Sequence, residues 1–248
     1  MTSALPKAGQ TCAGRTFAHL DGDGADLTDI RFEDCAFDEP AFDNAVLGGA
    51  RFVRCRLTRP GFAHADLRDS VFEACVFADP ATQRGANFAF ARLDEARFVS
   101  CDLTHARFES ADLYAAGFES CNLLGARFGR ARFHRTMGRT IVRAAGRFVD
   151  CNLELADLSD LSVPACHFAR SRLREADLSG TDFEGADLTG ADLFQAVIDG
   201  AKFTKADLRG AEISGLDLRR LAGYRDMKIT VDQQFALLDA LGLDVRPQ

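Results

Sequence analysis

The cysteine and histidine side chains are the residues of this sequence that could bind a metal ion or act as nucleophiles. The histidines are His19, His64, His105, His134 and His167. None of them lies at the short spacing from cysteines or carboxylates that zinc sites use. Cys166 and His167 are adjacent, but neighbouring residues of a strand point to opposite sides. The sequence therefore predicts no metal site and no cofactor.

The cysteines instead recur at a fixed interval. Six of the eight form a series in which each lies two residues before a Leu or Phe: Cys35, Cys55, Cys75, Cys101, Cys121 and Cys151. Neighbours are 20 residues apart, except that Cys75 to Cys101 is 26 and Cys121 to Cys151 is 30. A column of inward-facing thiols, one per 20-residue coil, explains this spacing and predicts excursions of six and ten residues. A disulfide framework is the alternative, but we expect reduced thiols that pack as small apolar residues.

Motifs that would indicate catalysis are missing from the sequence. It contains no phosphate-binding loop, no Gly-x-Ser-x-Gly and no His-Glu-x-x-His. Many Asp residues directly precede a Leu or Phe, which is typical of a solvated outer face. We therefore expect a protein that binds a partner and is not an enzyme.

The backbone that positions these residues is set by a five-residue period, which is clearest from Ala176 to Ile213. A large apolar residue occupies every fifth position: Leu178, Phe183, Leu188, Leu193, Ile198, Phe203, Leu208 and Ile213. A small residue stands two positions before each of them. Neither a helix nor a straight strand keeps such a period on one side. The chain must therefore turn in every repeat, and four turns close a 20-residue coil that stacks into a solenoid.

This repeat resembles the motif of the pentapeptide-repeat family. The resemblance implies an all-β fold, a right-handed quadrilateral β-helix with two loop excursions and a C-terminal α-helix. We divide the chain into an N-terminal tail or cap (1–24), the β-helix (25–218) and a C-terminal capping and dimerisation segment (219–248). The excursions are loop 79–84 and loop 134–145.

The C-terminal segment has a different pattern. Thr230 to Gln233 has the sequence of a capping box, and Phe235, Leu238 and Leu241 follow at helical spacing before Gly242. Because a β-helix must cover its last coil, we expect this helix to act as a cap. Its apolar side is wider than a cap needs, so we also expect a homodimer. The predicted dimer residues are Phe235, Leu238, Leu241, Leu243 and Val245.

Charge is distributed unevenly along the chain, whose formal net charge is −7. Residues 86–147 carry +4, whereas residues 148–218 carry −8. A regular array of negative charge on a rod imitates the electrostatic profile of duplex DNA. The predicted DNA-mimic residues are Asp177, Asp182, Asp187, Asp192, Asp207, Glu212 and Asp217. The alternative is that the acidity only keeps a repeat protein in solution.

Within the family, the combination of two excursions and a C-terminal helix makes this chain similar to the Qnr and MfpA group of topoisomerase-protecting proteins. Gln83 to Phe88 and Phe98 to Leu103 continue the likeness, as does Gln234 to Val245. The resemblance implies binding to DNA gyrase or topoisomerase IV and relief of fluoroquinolone poisoning. It also implies that the two loops contact the enzyme, through Asp79, Pro80, Thr82, Gln83, Arg84, His134, Arg135, Met137, Arg139, Ile141 and Arg143.

Location and partners follow from the same features. No signal-peptide pattern follows Met1, and no run of 18 apolar residues is present. We expect a cytoplasmic protein with no membrane partner and no direct contact with nucleic acid. A scaffolding repeat protein, a host topoisomerase regulator and a toxin-immunity protein are alternatives.

Overall fold

The computed structural model describes residues 5–79, 84–137 and 141–244, and for 136–137 and 141–143 it describes the backbone alone. The chain forms a parallel β-solenoid with four faces per coil, as predicted. Face one contains a seven-stranded sheet of β1 (Thr11–Ala13), β3 (Arg31–Glu33), β5 (Arg51–Val53), β7 (Val71–Glu73), β8 (Arg97–Val99), β9 (Ala116–Glu119) and β12 (Gly146–Val149). Face two contains β2 (Thr16–Ala18), β4 (Ala36–Asp38) and β6 (Arg56–Thr58). Among the described residues, no helix is long and apolar enough to cross a bilayer.

Single parallel bridges continue the ladders where the strands become too short to be assigned. Face three runs through Asp21, Ala41, Gly61, Asn87, Arg107, Arg127, Asp157, Asp177 and Val197. Face four runs through Asp26, Val46, Asp66, Arg92, Asp112 and Arg132, and resumes at Ser162, Asp182, Lys202 and Gly223. Each residue in these two sets lies one position before a large position of the repeat, so the five-residue period assigns every repeat to one face.

A tight turn closes the corner between two faces. The backbone N–H of Thr181 donates to the carbonyl of Leu178 over 3.1 Å, and Gly180 between them has a φ of +66°. Non-glycine residues occupy the equivalent position in most other repeats, among them Asp160 with a φ of +57°. Asp and Asn tolerate this left-handed region better than other side chains. The corner therefore fixes the backbone conformation of the fifth residue of the repeat. Burial at the axis requires a large apolar side chain at the third.

The core is a stack of Phe and Leu side chains along the axis. On face one, Phe72 and Phe98 stack with ring centroids 4.8 Å apart, and Phe118 and Phe148 do the same. The first pair spans the six-residue excursion and the second pair spans the ten-residue excursion. Both excursions therefore leave the core stack intact, as the cysteine spacing predicts.

All eight cysteines are free and buried. The Cys101 thiol donates to the carbonyl of Phe72 over 3.4 Å, and the Cys121 thiol donates to Phe98 over the same distance. Ser171 occupies the same column and donates to Phe148 over 2.7 Å. Burial raises the pKa of the Cys166 thiol to about 12. The column consists of small hydrogen-bond donors that link adjacent coils.

The predicted boundary between a tail and a β-helix at residue 25 is wrong. β1 and β2 already pair in parallel with β3 and β4, and the Cys12 and Phe17 side chains are buried. Gly22 interrupts the sequence pattern at a large position. A Cβ atom at Gly22 would lie 3.0 Å from the Phe42 ring, so Phe42 of the next coil occupies this space. The coil persists although the sequence pattern lapses.

The predicted C-terminal boundary at 218 is also too early. A short 3-10 helix, Leu218–Arg220, interrupts the coil, but Gly223 and Lys228 then pair with Lys202 and Asp207. The helix α1 (Gln233–Ala240) follows. The Gln233 side-chain oxygen accepts from the Thr230 N–H over 2.7 Å, whereas the residue that caps the helix start is Asp232. The predicted helix is present and begins at the end of the predicted capping box.

The cysteine column generates a prediction about stability. Cys121→Ser should change the free energy of unfolding by less than about 1 kcal/mol, because Ser171 shows that a hydroxyl makes the same bond in this column. Cys121→Leu should lose about 1–3 kcal/mol through overpacking. Urea unfolding followed by far-UV circular dichroism measures both. Equal losses in the two variants would contradict the assigned role of this position.

Candidate protein-binding surfaces

The first excursion leaves the coil at the corner between faces two and three. Asp79 and Arg84 form an antiparallel bridge at its base, and the Asp79 carboxylate lies 3.5 Å from the Arg59 guanidinium. A Cβ atom at Gly85 would lie 2.4 Å from the Thr104 carbonyl oxygen. Glycine is therefore required where the excursion rejoins the rod. The predicted contact residues Pro80, Thr82 and Gln83 lie outside the described residues.

The second excursion leaves the coil between faces four and one and is an antiparallel hairpin. Its strands are β10 (His134–Met137) and β11 (Ile141–Ala144), with His134 opposite Ala144. The backbone N–H of Ala145 donates to the Phe133 carbonyl over 3.0 Å and closes the base. Met137, Ile141 and Arg143 are placed by their backbone alone, and Arg139 lies outside the described residues.

A contact that the sequence did not predict attaches the hairpin to face four. The Arg135 guanidinium forms an ion pair with Asp94, which is only 6% exposed. The same guanidinium lies over the Tyr114 ring, 4.9 Å from its centroid. A guanidinium that meets both a carboxylate and an aromatic face is held in direction as well as position. Asp94 and Tyr114 are therefore positioning residues for the hairpin.

The predicted acidic residues do not form one surface. Asp177 lies on face three and Asp182 on face four, as the ladders show. Asp187 and Asp207 belong to face one, whereas Asp192 and Glu212 belong to face two. Asp217 caps the 3-10 helix. The correction has a simple cause, since a five-residue step moves each successive Asp to the next face.

Most of these carboxylates also have a structural role. An Oδ1 atom accepts from the backbone N–H two residues later, over 2.9 Å from Asp177 to Ser179 and 3.2 Å from Asp207 to Arg209. Asn87, Asn122 and Asn152 make the same turn from the same position of the repeat. Asp and Asn side chains favour such turns because they bond the backbone locally. The turn needs the oxygen acceptor and does not need the charge.

Hydrogen bonding holds several of these carboxyl groups in the charged form. The Arg209 guanidinium lowers the pKa of Asp207, and Ser214 lowers the pKa of Glu212. A lowered pKa means that the stabilising contribution is complete near neutral pH and is lost as the pH falls through the folded-state pKa. These carboxyl groups therefore carry their negative charge in the folded protein at neutral pH.

A group of acidic residues lies on and beside face three. Asp157 and Asp177 lie on that face and Asp160 lies at the corner that follows it, and none of the described residues forms an ion pair with them. Asp199 lies in the next rung and pairs with Arg220 over 2.7 Å. By contrast, Asp182 and Asp192 on other faces each pair with a basic residue. We call Asp157, Asp160, Asp177 and Asp199 the acidic strip.

The C-terminal helix closes the rod. The Gln233 amide donates to the carbonyls of Leu208 and Ala211 over 2.7 Å each, so it satisfies two acceptors on the last coils. Leu237 is buried beneath the helix, and Leu238 and Leu241 are half-buried. Phe235 and Leu243 are 48% and 52% exposed. Of the predicted dimer residues, these two present the most apolar surface, and Val245 lies outside the described residues.

The sequence comparison identifies the family. A family model of pentapeptide repeats matches in eight copies at residues 41–73, 84–119, 151–190 and 186–220. These segments together span more than half of the chain. The chain belongs to the pentapeptide-repeat family. No functionally curated protein matches it significantly.

Two solved pentapeptide-repeat structures are similar to this chain over its whole length. A trypsin-treated variant of QnrB1 is 25% identical with a TM-score of 0.69, and the match covers 96% of this chain and 99% of that one. Full-length QnrB1 is 24% identical with a TM-score of 0.71, and the match covers 94% and 100%. QnrB1 is described as a plasmid-mediated fluoroquinolone resistance protein.

For this pentapeptide-repeat protein, the ion pair at the hairpin base gives a specific prediction. Asp94→Asn should speed trypsin cleavage within the hairpin about tenfold, as expected if local opening becomes easier by about 1.4 kcal/mol. The control is Asp112→Asn, since Asp112 pairs with Arg132 on the same face at 3.2 Å but lies outside the hairpin. Timed proteolysis followed by mass spectrometry gives the rates. Equal cleavage of the two variants would show that Asp94 does not hold the hairpin.

Proposed function

We propose that this protein binds a type II topoisomerase, DNA gyrase or topoisomerase IV, and protects it from fluoroquinolone-like poisons by imitating DNA. The observation that carries the proposal is the likeness to QnrB1 over the whole length at a TM-score of 0.69 and 25% identity. The proposed action is binding without catalysis. It would take place in the cytoplasm, without contact with a membrane.

The acidic strip supports DNA mimicry by its arrangement. Asp157 and Asp177 stand on adjacent rungs, which are about 4.8 Å apart in a parallel ladder. None of the described basic residues forms an ion pair with Asp157, Asp160 or Asp177. These charges are therefore available to the basic surface with which a topoisomerase holds DNA. Carboxylates already engaged in ion pairs on the other faces contribute less to such a field.

The two excursions would supply the specific contacts. The base of the hairpin is held in one direction by the contacts of Arg135 with Asp94 and Tyr114. The first loop is held at Gly85 and by the bridge between Asp79 and Arg84. Rigid mounting lowers the entropy lost on binding. We assign the strip to electrostatic attraction and the loops to recognition.

A scaffolding protein whose partner is unrelated to DNA is the second candidate. The observation in its favour is that many carboxylates of the acidic section serve the backbone turn, which accounts for their presence without mimicry. The two candidates differ in salt dependence. A DNA-mimic interface weakens steeply as ionic strength rises, whereas an apolar scaffold contact does not.

Neutralising the strip tests mimicry without disturbing the fold. The triple variant Asp157→Asn, Asp160→Asn, Asp177→Asn keeps the oxygen acceptors of the turns but removes three charges. We expect it to need at least about tenfold more protein than the wild type to restore gyrase supercoiling in ciprofloxacin, since each surface contact contributes roughly 0.5–1 kcal/mol. The measurement is a protein titration in a supercoiling assay, repeated with topoisomerase IV decatenation.

The matched control changes the same amount of charge on other faces, with Asp182→Asn, Asp187→Asn and Asp207→Asn. This control should protect nearly as well as the wild type. Equal loss in both triple variants would mean that only net charge matters and would remove the strip from the mechanism. A further arm deletes residues 136–145, which leaves four residues between Phe133 and Phe148 and so preserves the five-residue register. Full protection by this deletion would exclude the hairpin, and no protection by the wild type would overturn the proposed function.

We also propose that two copies pair through the C-terminal segment. Phe235 and Leu243 would be the centre of that interface, because they expose apolar surface beside the cap. Phe235→Ser with Leu243→Ser should shift the sedimentation coefficient from dimer to monomer at micromolar concentration. Val231→Ser is the control, since Val231 is 75% exposed but precedes the helix. A wild-type protein that sediments as a monomer would refute the dimer.

A further inference from the structure

A groove on the middle of the rod carries a charge opposite to that of the whole protein. It has a volume of about 790 Å³ and lies where face two meets face three. Arg84, Arg107 and Arg127 line it together with His105. The groove contains no lysine, whereas the chain as a whole has a net charge of −7. Arginine is the side chain best suited to bidentate recognition of phosphate.

Glycine residues line the groove beside the arginines, so no side chain covers the backbone of the rod at these positions. Gly61, Gly85 and Gly125 all line it. A Cβ atom at Gly125 would lie 2.6 Å from the His105 ring, so the histidine occupies space that a larger residue would take. Gly125 has a φ of +63°, which disfavours any side chain there. The depression is therefore a feature of the backbone itself.

The positive charge of the groove is available to a ligand. Arg84 and Arg127 make no ion pair with any residue of the described ranges. Arg107 meets a single carboxylate, Glu109, at 3.2 Å. Arg59 differs, since it pairs with both Glu39 and Asp79 and thus closes one end of the groove without excess charge. The uncompensated charge is confined to the part between Arg84 and Arg127.

Beyond the other end of the groove, the next rung of face three begins the acidic strip. Arg127 pairs along the ladder with Asp157, so the sign of the charge reverses within one rung. Asn87, Arg107 and Arg127 occupy successive rungs, which span about 10 Å at 4.8 Å per rung. A long polyanion that continued along face three would meet Asp157 and Asp177. The groove therefore suits an anion of two or three charged groups.

We propose that this groove is a binding site for a short run of phosphate groups, held by Arg84, Arg107 and Arg127. The phosphates would come either from a free oligophosphate or nucleotide, or from a short stretch of a nucleic-acid backbone that crosses the rod at this point. The proposal does not depend on DNA mimicry, because the groove has the opposite charge to the acidic strip and shares only Arg84 with the loops assigned to topoisomerase recognition. Carboxylate ligands fit less well, since their two oxygens engage fewer of the three guanidinium groups at once.

Isothermal titration calorimetry of the full chain with tripolyphosphate at low salt tests the site. The double variant Arg84→Ala, Arg127→Ala should weaken binding at least about thirtyfold, because two charge-assisted contacts are lost. Arg130→Ala is the matched control. Arg130 is exposed on the same face, has no ion pair among the described residues and does not line the groove. This control should bind within about twofold of the wild type.

Two further titrations identify the source of the phosphates. A six-nucleotide single-stranded DNA that binds more tightly than tripolyphosphate, through the same arginines, assigns the groove to a phosphodiester backbone. The reverse order assigns it to a free oligophosphate. Three outcomes overturn the proposal: no binding of either probe at low salt, equal weakening by Arg130→Ala, or tighter binding of an oligoglutamate peptide than of both phosphate probes.

Discussion

The corner of the coil is the constraint on which the rest of this structure depends. Every fifth residue must adopt a left-handed or glycine-like conformation, as Gly180 and Asp160 do, so that a large side chain can point to the axis in each repeat. Once this is satisfied, the ladder bonds between coils are made by backbone atoms alone. The exposed side chains beside the ladder are then free to vary. The turn then requires an oxygen acceptor at the outward position before the large residue, as at Asp177, but it does not fix the charge of that side chain.

Insertions at a corner are tolerated because the core stack does not pass through them. Phe72 stacks on Phe98 and Phe118 on Phe148 at the same 4.8 Å, although six and ten extra residues intervene. The cost of each excursion is mainly the entropy of closing a loop, which grows slowly with length. The ion pair between Arg135 and Asp94 offsets part of that cost for the hairpin. A rod of this kind can thus present recognition loops without weakening its axis.

The sequence predicts the core of this protein almost residue by residue, because burial repeats with the period of the chain. It does not predict surface neighbours as well, since residues that share a face are 20 positions apart plus any excursion between them. The repeat identifies the acidic positions as outward-facing motif residues, but it does not separate the faces on which they lie, since the chain turns after each of them. Asp94 and Arg135 are 41 residues apart, and no periodic signal relates them. The predicted N-terminal boundary is wrong because Gly22 interrupts the pattern. The side chain that fills the space beside Gly22 is Phe42, which belongs to the next coil.

The reversal of charge on face three limits what the rod can imitate. Duplex DNA is negative along its whole length. Here the ladder changes from Arg107 and Arg127 to Asp157 and Asp177 within one rung, so any DNA-like surface begins at Asp157. If two copies pair at their C-terminal helices, their acidic strips lie toward the centre and their basic grooves toward the outer ends. A basic enzyme surface would then be attracted to the centre of the dimer and repelled beyond it, which fixes the position of the rod as well as its affinity.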